Sequence, residues 1–210
     1  WLAALPERDV VRDLPKFASC AVVGNGGSLL LYESGAAIDS HEAVIRFNGG
    51  VVAGFERHVG SRTTLRVCNS QHLGFHERQD ELLLQHVTVE RNMAGTIAFL
   101  RAHPQLRMYL LDGDFHQYVL DEMQEGAASN GFYGIVLAHE LCERVTLYGF
   151  HKEWRAAPQG KYHYYDAVEP NTSQTQRDDA ETPRLHAFLA RHKAQFAFAE
   201  QELQQRAARE

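Results

Sequence analysis

Short apolar runs alternate with longer stretches of helical character along this chain. Ala21-Val22-Val23 is a compact, largely β-branched run that predicts a strand, and it leads straight into the glycine-rich Gly24-Asn25-Gly26-Gly27. Ala43 to Phe47 and Arg62 to Val67 predict two further strands. Glu77 to Ala102 is polar with apolar interruptions and predicts one or two helices. Arg107 to Leu111 reads as a strand, Phe115 to Gln124 as a short helix, Gly131 to Glu143 as a helix and Arg144 to Tyr148 as a strand. Pro183 to Lys193 predicts a last helix, and Gln195 to Phe198 a closing strand. Arg155 to Arg177, polar and holding two prolines, is expected to be a long active-site loop. Strands alternating with helices of these lengths predict an α/β fold with a mainly parallel central sheet flanked by helices.

Composition narrows the class without changing the fold. At 210 residues, 44% apolar and 23% charged, the chain is sized for one globular domain. The expected domain is 1–210, with its motif-bearing core over 18–193 and a polar tail over 199–210. The net charge of −6 argues against nucleic acid as a partner. No run of 18 or more apolar residues occurs, and Trp1 to Val11 lacks the layout of a signal peptide. The chain is therefore expected to be an excised ectodomain or fragment whose membrane anchor lies elsewhere.

Candidate chemistry gathers at predicted strand ends. The backbone amides of Gly24 to Ser28 could cradle a phosphate, or could form an ordinary strand-to-loop turn. Asn25 and Asn48 follow the first two strands, where open α/β sheets place ligands, and an amide side chain both donates and accepts. Ser129 is placed to cap the helix beginning near Gly131, whose free amides and positive dipole end suit a phosphate. A plain capped helix is the alternative. Asp112-Gly113-Asp114 has the spacing of paired carboxylates on a divalent ion, but a turn followed by a helix cap explains it equally well. The glycine spacing does not match a dinucleotide fingerprint.

Several blocks carry a family resemblance, in order. Cys20-Ala-Val-Val-Gly-Asn-Gly-Gly-Ser28, Ile38-Asp-Ser-His41, Val44-Ile-Arg-Phe-Asn48, Gly54-Phe-Glu56 and Val59-Gly-Ser-Arg-Thr-Thr64 resemble the large sialylmotif of eukaryotic-type sialyltransferases. Ala128-Ser-Asn-Gly131, continuing to Cys142, and Val145-Thr-Leu-Tyr-Gly-Phe150 resemble the small sialylmotif. His163-Tyr-Tyr-Asp166 resembles the third. The resemblance implies a single Rossmann-like domain of the GT-A-variant kind. It implies a CMP-sialic acid donor, an acceptor sugar on a glycoprotein or glycolipid, no metal or other cofactor, and residence in the Golgi lumen as the ectodomain of a type II membrane protein. It also implies a Cys20–Cys142 disulfide, leaving Cys68 as a buried thiol. Asn171-Thr172-Ser173 is an N-glycosylation sequon on the expected loop.

The same resemblance distributes roles. Asn25, Gly26, Asn48, Ser129, Asn130 and Gly131 are expected to bind substrate, with Asn130 standing where the family usually has threonine. Gly149, Phe150 and His151 are expected at the cytidine, and Tyr162 and Tyr164 in the same pocket. His163 is expected beside the donor phosphate, assisting its departure. The family's final histidine has no counterpart here; aligning the last helix puts Asp179 in its place, with His186 as the alternative base. Plant and algal sialyltransferase-like proteins depart in similar regions, so a CMP-Kdo donor, or a CMP-sugar-binding pseudoenzyme or glycan-binding module, stay open beside sialyl transfer.

Overall fold

The computed structural model describes residues 9–87, 90–124, 127–150 and 161–199. Seven strands form its centre: β1 (Cys20–Val23), β2 (Ala43–Phe47), β3 (Leu65–Cys68), β4 (Leu82–Gln85), β5 (Met108–Leu110), β6 (Val145–Tyr148) and β7 (Phe196–Phe198). Every neighbouring pair is parallel, in the order β5-β4-β3-β2-β1-β6-β7. β1 to β4 are buried along their whole length. Strands covered on both faces need apolar side chains at successive positions, so these read as continuous runs rather than as alternation.

The helices are α1 (Val10–Asp13), α2 (Gly35–Asp39), α3 (Glu56–Val59), α4 (Glu90–Ala102), α5 (Gly113–Met123), α6 (Asn130–Leu141) and α7 (Thr172–Arg191). The larger core cluster joins Val22, Ile45, Leu65 and Leu147 of the sheet to Phe132, Ile135 and Val136 of α6 and Phe188 of α7. A second cluster, with Val23, Val44, Ile38, Tyr148 and Tyr164, covers the other face.

Two expectations need correction. The stretch 77–102 contains β4 as well as α4: Leu82-Leu83-Leu84 lacks β-branched residues, and burial between β3 and β5 makes it a strand. The long loop ends early, because α7 begins at Thr172, eleven residues before Pro183. Asn171 accepts from the Gln174 amide at 2.9 Å and Gln174 accepts from the Asn171 amide at 2.8 Å, a reciprocal cap that starts the helix. Pro183 therefore lies inside α7 rather than at its first turn.

Several motif residues build the frame. Asp39 accepts from the Ser61 amide and hydroxyl and from the Arg62 amide, all within 3.0 Å, tying α2 to the turn before β3. Arg46 is buried under that turn and donates to the carbonyls of Val59 and Arg62; burial lowers its pKa to about 10. Cys20 and Cys142 are joined in a disulfide, linking the start of β1 to the C-terminal cap of α6. Cys68 is a free, buried thiol, and burial pushes its pKa up to about 12. No described helix is long and apolar enough to cross a membrane.

Candidate active site

The sheet order reverses at β1, which has β2 on one side and β6 on the other. Crossover connections diverge there, so a crevice opens beyond the carboxyl ends of these strands. A cavity of about 420 Å³ occupies it. Gly24, Asn25 and Gly26 line it after β1, Phe47 at the end of β2 and Asn48 after it, Asn69 after β3, His86 after β4, and Gly149 and Phe150 after β6.

The strand ends come very close. A Cβ on Gly24 or Gly26 would lie 2.8 or 2.5 Å from the Gly149 carbonyl oxygen, so only glycine fits. The segment Tyr162 to Tyr165 then pairs with this loop. Gly27 N donates to Tyr162 O at 3.1 Å and Tyr164 N to Asn25 O at 3.0 Å, with Gly26 and His163 in an antiparallel bridge. The third motif is thereby clamped onto the first. His163 stacks on Tyr165, with rings 5.2 Å apart and 9° from parallel. Asp166 takes its Nδ1 at 3.2 Å, which leaves Nε2 for a substrate.

An amide relay connects the floor. Asn48 adopts a left-handed backbone (φ 50°), a conformation asparagine tolerates well. Its Oδ1 accepts from the Asn69 amide at 3.0 Å and from Asn130 Nδ2 at 2.9 Å. Asn130 Oδ1 lies 3.0 Å from His86 Nδ1, so that nitrogen carries the proton. Burial holds the His86 pKa below its ordinary value, favouring the neutral ring. Its Nε2 is buried without a partner.

The N-terminus of α6 supplies donors. Ser129 caps it by accepting from the Phe132 amide at 3.2 Å. Glu181 of α7, 3% exposed, accepts from the Ser129 amide at 2.6 Å and its hydroxyl at 2.8 Å. A buried carboxylate thus holds the cap rigidly beside the cavity. Phe150 packs edge-on to Phe47 with rings 6.1 Å apart, and its ring lies over Gly131.

The structure brings together Asn25, Gly26, Asn48, Ser129, Asn130, Gly131, Gly149, Phe150, Tyr162 and His163 on one cavity. His151 lies outside the described residues, and Tyr164, expected in the pocket, is buried in the second core cluster with its hydroxyl donating to the Val51 carbonyl, so that its neighbour Tyr165 lines the cavity instead. The two expected bases fall elsewhere. Asp179 is exposed and does not line the cavity. Gln174, Arg177 and Asp178 do, at spacings of three and four that put them on one face of α7. One residue further turns a helical side chain by about 100°, which takes Asp179 off that face. Asp178 is buried and accepts from the Tyr162 hydroxyl at 2.8 Å; burial, then Asp178, raises the pKa of that hydroxyl. His186 is exposed and edge-on to Phe198 at 6.4 Å, in a groove with Leu189 and Phe196. Asp112 caps α5, accepting from the Phe115 amide at 2.7 Å. Among the described residues no cluster of three or more His, Cys, Asp or Glu is arranged to hold a metal ion.

Sequence reasoning missed Asn69, Gln71, His72 and His86 on the cavity wall. The rule that singled out Asn25 and Asn48 would also have found Asn69 and His86, had the end of β3 and the whole of β4 been recognised. His72 faces the same space as His163: burial first, then the charges of His163 and Arg66, lower its pKa.

The model of glycosyltransferase family 29 (sialyltransferase) matches residues 4–191. The chain belongs to this family. It is 33% identical over 188 residues to a β-galactoside α-2,6-sialyltransferase 2 of Takifugu rubripes, a match covering 74% of this chain and 35% of that protein. It is 28% identical to a human β-galactoside α-2,6-sialyltransferase 1, over 71% of this chain and 44% of that one. The match therefore spans less than half the length of either relative. A mammalian sialyltransferase crystal structure superposes with a TM-score of 0.74 at 23% identity, covering 94% of this chain and 75% of that one, which shows a shared fold. A second, solved with Gal-β-1-3GalNAc-ortho-nitrophenol, gives 0.71 at 22% identity, with the same coverage.

Proposed function

We propose that this chain carries the donor site and transfer chemistry of a family 29 enzyme moving sialic acid, or a related acid sugar such as Kdo, from a CMP donor to a hydroxyl of a glycan on a glycoprotein or glycolipid. The observation that carries this reading is the meeting of three separate segments at the β1/β6 crevice: the glycine loop, the capped start of α6 and the clamped Tyr162–Tyr165. Cytidine stacks near Phe150, and the phosphate meets the α6 amides. The acceptor oxygen attacks the anomeric carbon, the bond to the phosphate oxygen breaks, and its electron pair leaves with CMP. His163, whose Nε2 is left for the substrate, assists that departure by hydrogen bonding to the phosphate. His72, neutral because its pKa is depressed, receives the acceptor proton in place of Asp179 and His186. A single phosphate carries less charge than a diphosphate, so hydrogen bonds and histidine can stabilise it and no divalent ion is invoked.

The disulfide and the exposed Asn171 sequon suit an oxidising secretory compartment, and we assign the protein to the Golgi lumen. The test is calorimetric binding of CMP, followed by CMP release from CMP-sialic acid and CMP-Kdo with and without acceptor glycans. Failure to bind CMP would sink the reading. Binding without release of CMP from either donor identifies a pseudoenzyme instead.

A further inference from the structure

Arg177 is the one arginine or lysine among the described residues lining the cavity. It projects from α7 with Gln174 and Asp178, beside Tyr162, whose hydroxyl feels its positive charge. Its Nε is buried and has no hydrogen-bond partner. Buried donors are almost always satisfied, and leaving one unmade costs free energy, most of all on a charged group. No ion pair with the adjacent Asp178 accounts for it; Asp178 receives the Tyr162 hydroxyl. A cationic donor held in a cleft, with no ion pair to it among the described residues, is what a site for an anionic ligand presents.

Two anions are available on the proposed donor. The phosphate already has the α6 amides on one wall and His163 on another. The second is the carboxylate on the anomeric carbon of an α-keto acid sugar, which sialic acid and Kdo share. Guanidinium matches a carboxylate in planar, two-point geometry. We infer that Arg177 binds the sugar carboxylate of the donor and so restricts this site to CMP-activated acid sugars; the inference rests on the function proposed above. Asp178, holding Tyr162, positions the tyrosine beside that guanidinium. Neutral sugars attached to nucleotides offer nothing to this charge, and selection against them follows from leaving its buried Nε donor unpaired.

The experiment compares two ligands on one protein. Wild type, Arg177→Gln and Arg177→Lys are titrated calorimetrically with CMP and with a hydrolysis-resistant 3-fluoro analogue of CMP-sialic acid. Arg177→Gln should keep its affinity for CMP within about twofold, which also shows that the pocket is folded. It should lose about tenfold or more for the analogue, the scale of a charge-assisted contact. Arg177→Lys should fall between, since lysine keeps the charge without the fork. An equal loss for both ligands would place Arg177 on the phosphate and overturn the inference, as would no loss for either. If wild type binds neither ligand, the proposed function fails first and takes the inference with it.

Discussion

Removing the Cys20–Cys142 bridge should cost this fold more than any single side-chain contact. The two residues are 122 apart in sequence. In the chain-entropy treatment of a cross-link, closing a loop of that size removes about 5 kcal/mol of unfolded-state entropy. A typical domain has a total stability of about 5–15 kcal/mol, so the loss is a large share. At about 2–4 °C per kcal/mol for a chain this long, melting should fall by roughly 10–20 °C. The perturbation is Cys20→Ala with Cys142→Ala, studied by denaturant unfolding against the oxidised wild type. Both side chains are fully buried, so some loss comes from lost packing. Cys142→Ala alone separates the terms: it opens the same loop yet keeps one sulfur, so the difference from the double variant measures side-chain burial. The denaturant slope should also rise, because the unlinked unfolded chain exposes more surface. A loss under about 1 kcal/mol with an unchanged slope would refute the argument. The bridge lies at the α6 end opposite the cavity, so folded variant should still bind CMP.

The remaining predictions concern the site. Glu181→Gln removes the charge from two hydrogen bonds at the α6 cap and should destabilise by about 2–3 kcal/mol while weakening CMP binding; unchanged unfolding and affinity would show the carboxylate to be dispensable. Histidines 72, 86 and 192 all have lowered pKa values in the fold, chiefly from burial. The unfolded chain therefore binds more protons as pH falls, so their stabilisation is present above about 6.5 and is lost below it, toward the lower folded values. His86→Asn should flatten the fall in unfolding free energy between about pH 6.5 and 5, and an unaltered slope counts against the buried neutral ring. His163→Ala should cut transfer by about a hundredfold or more, whereas Asp179→Ala should leave it near wild type. His72→Gln should remove the acidic limb of the kcat/KM profile; if the limb persists, another group takes the acceptor proton.

The parallel core was legible because burial on both faces demands it of the sequence. Val22, Ile45 and Leu147 sit in runs that no amphipathic helix of that length would need, and punctuating glycines marked where β1 and β6 end. Even the register of the cavity followed, since one rule about strand ends collects Asn25, Asn48 and Gly149. β4 failed on propensity: Leu82, Leu83 and Leu84 favour a helix in isolation, and β3 and β5 overrule them through pairing partners distant in sequence. The motif residues also divide in a way no local reading predicts. Asp39 and Arg46 belong to the same large motif as Asn25 and Asn48, yet they brace the turn before β3 while the asparagines face the cavity.

The base was the least legible feature, and the reason is angular. Placing a carboxylate in a cleft from sequence requires the helix start to be known, because each residue of phase error rotates the side chain by about 100°. Taking Pro183 as the start left 172–182 without a phase, and Asp178 could not be told from Asp179. Once α7 is known to begin at Thr172, the phase can be checked inside the segment itself. Asp178, Glu181, Leu185 and Phe188 fall on one buried stripe, at the i, i+3, i+7, i+10 spacing of a helix face packed on its core. Two acids on that stripe cannot sit against apolar packing without partners, and both have them: Tyr162 for Asp178 and Ser129 for Glu181. Tyr162 immediately precedes the third motif, and Ser129 belongs to the small motif. The acidic stripe of α7 thus ties together the two segments that would flank the donor phosphate, and Arg177 stands one residue before it, on the cavity side. With α7 bracing the site in this way, the proton-accepting role proposed above rests on a different segment of the cavity lining, where His72 stands.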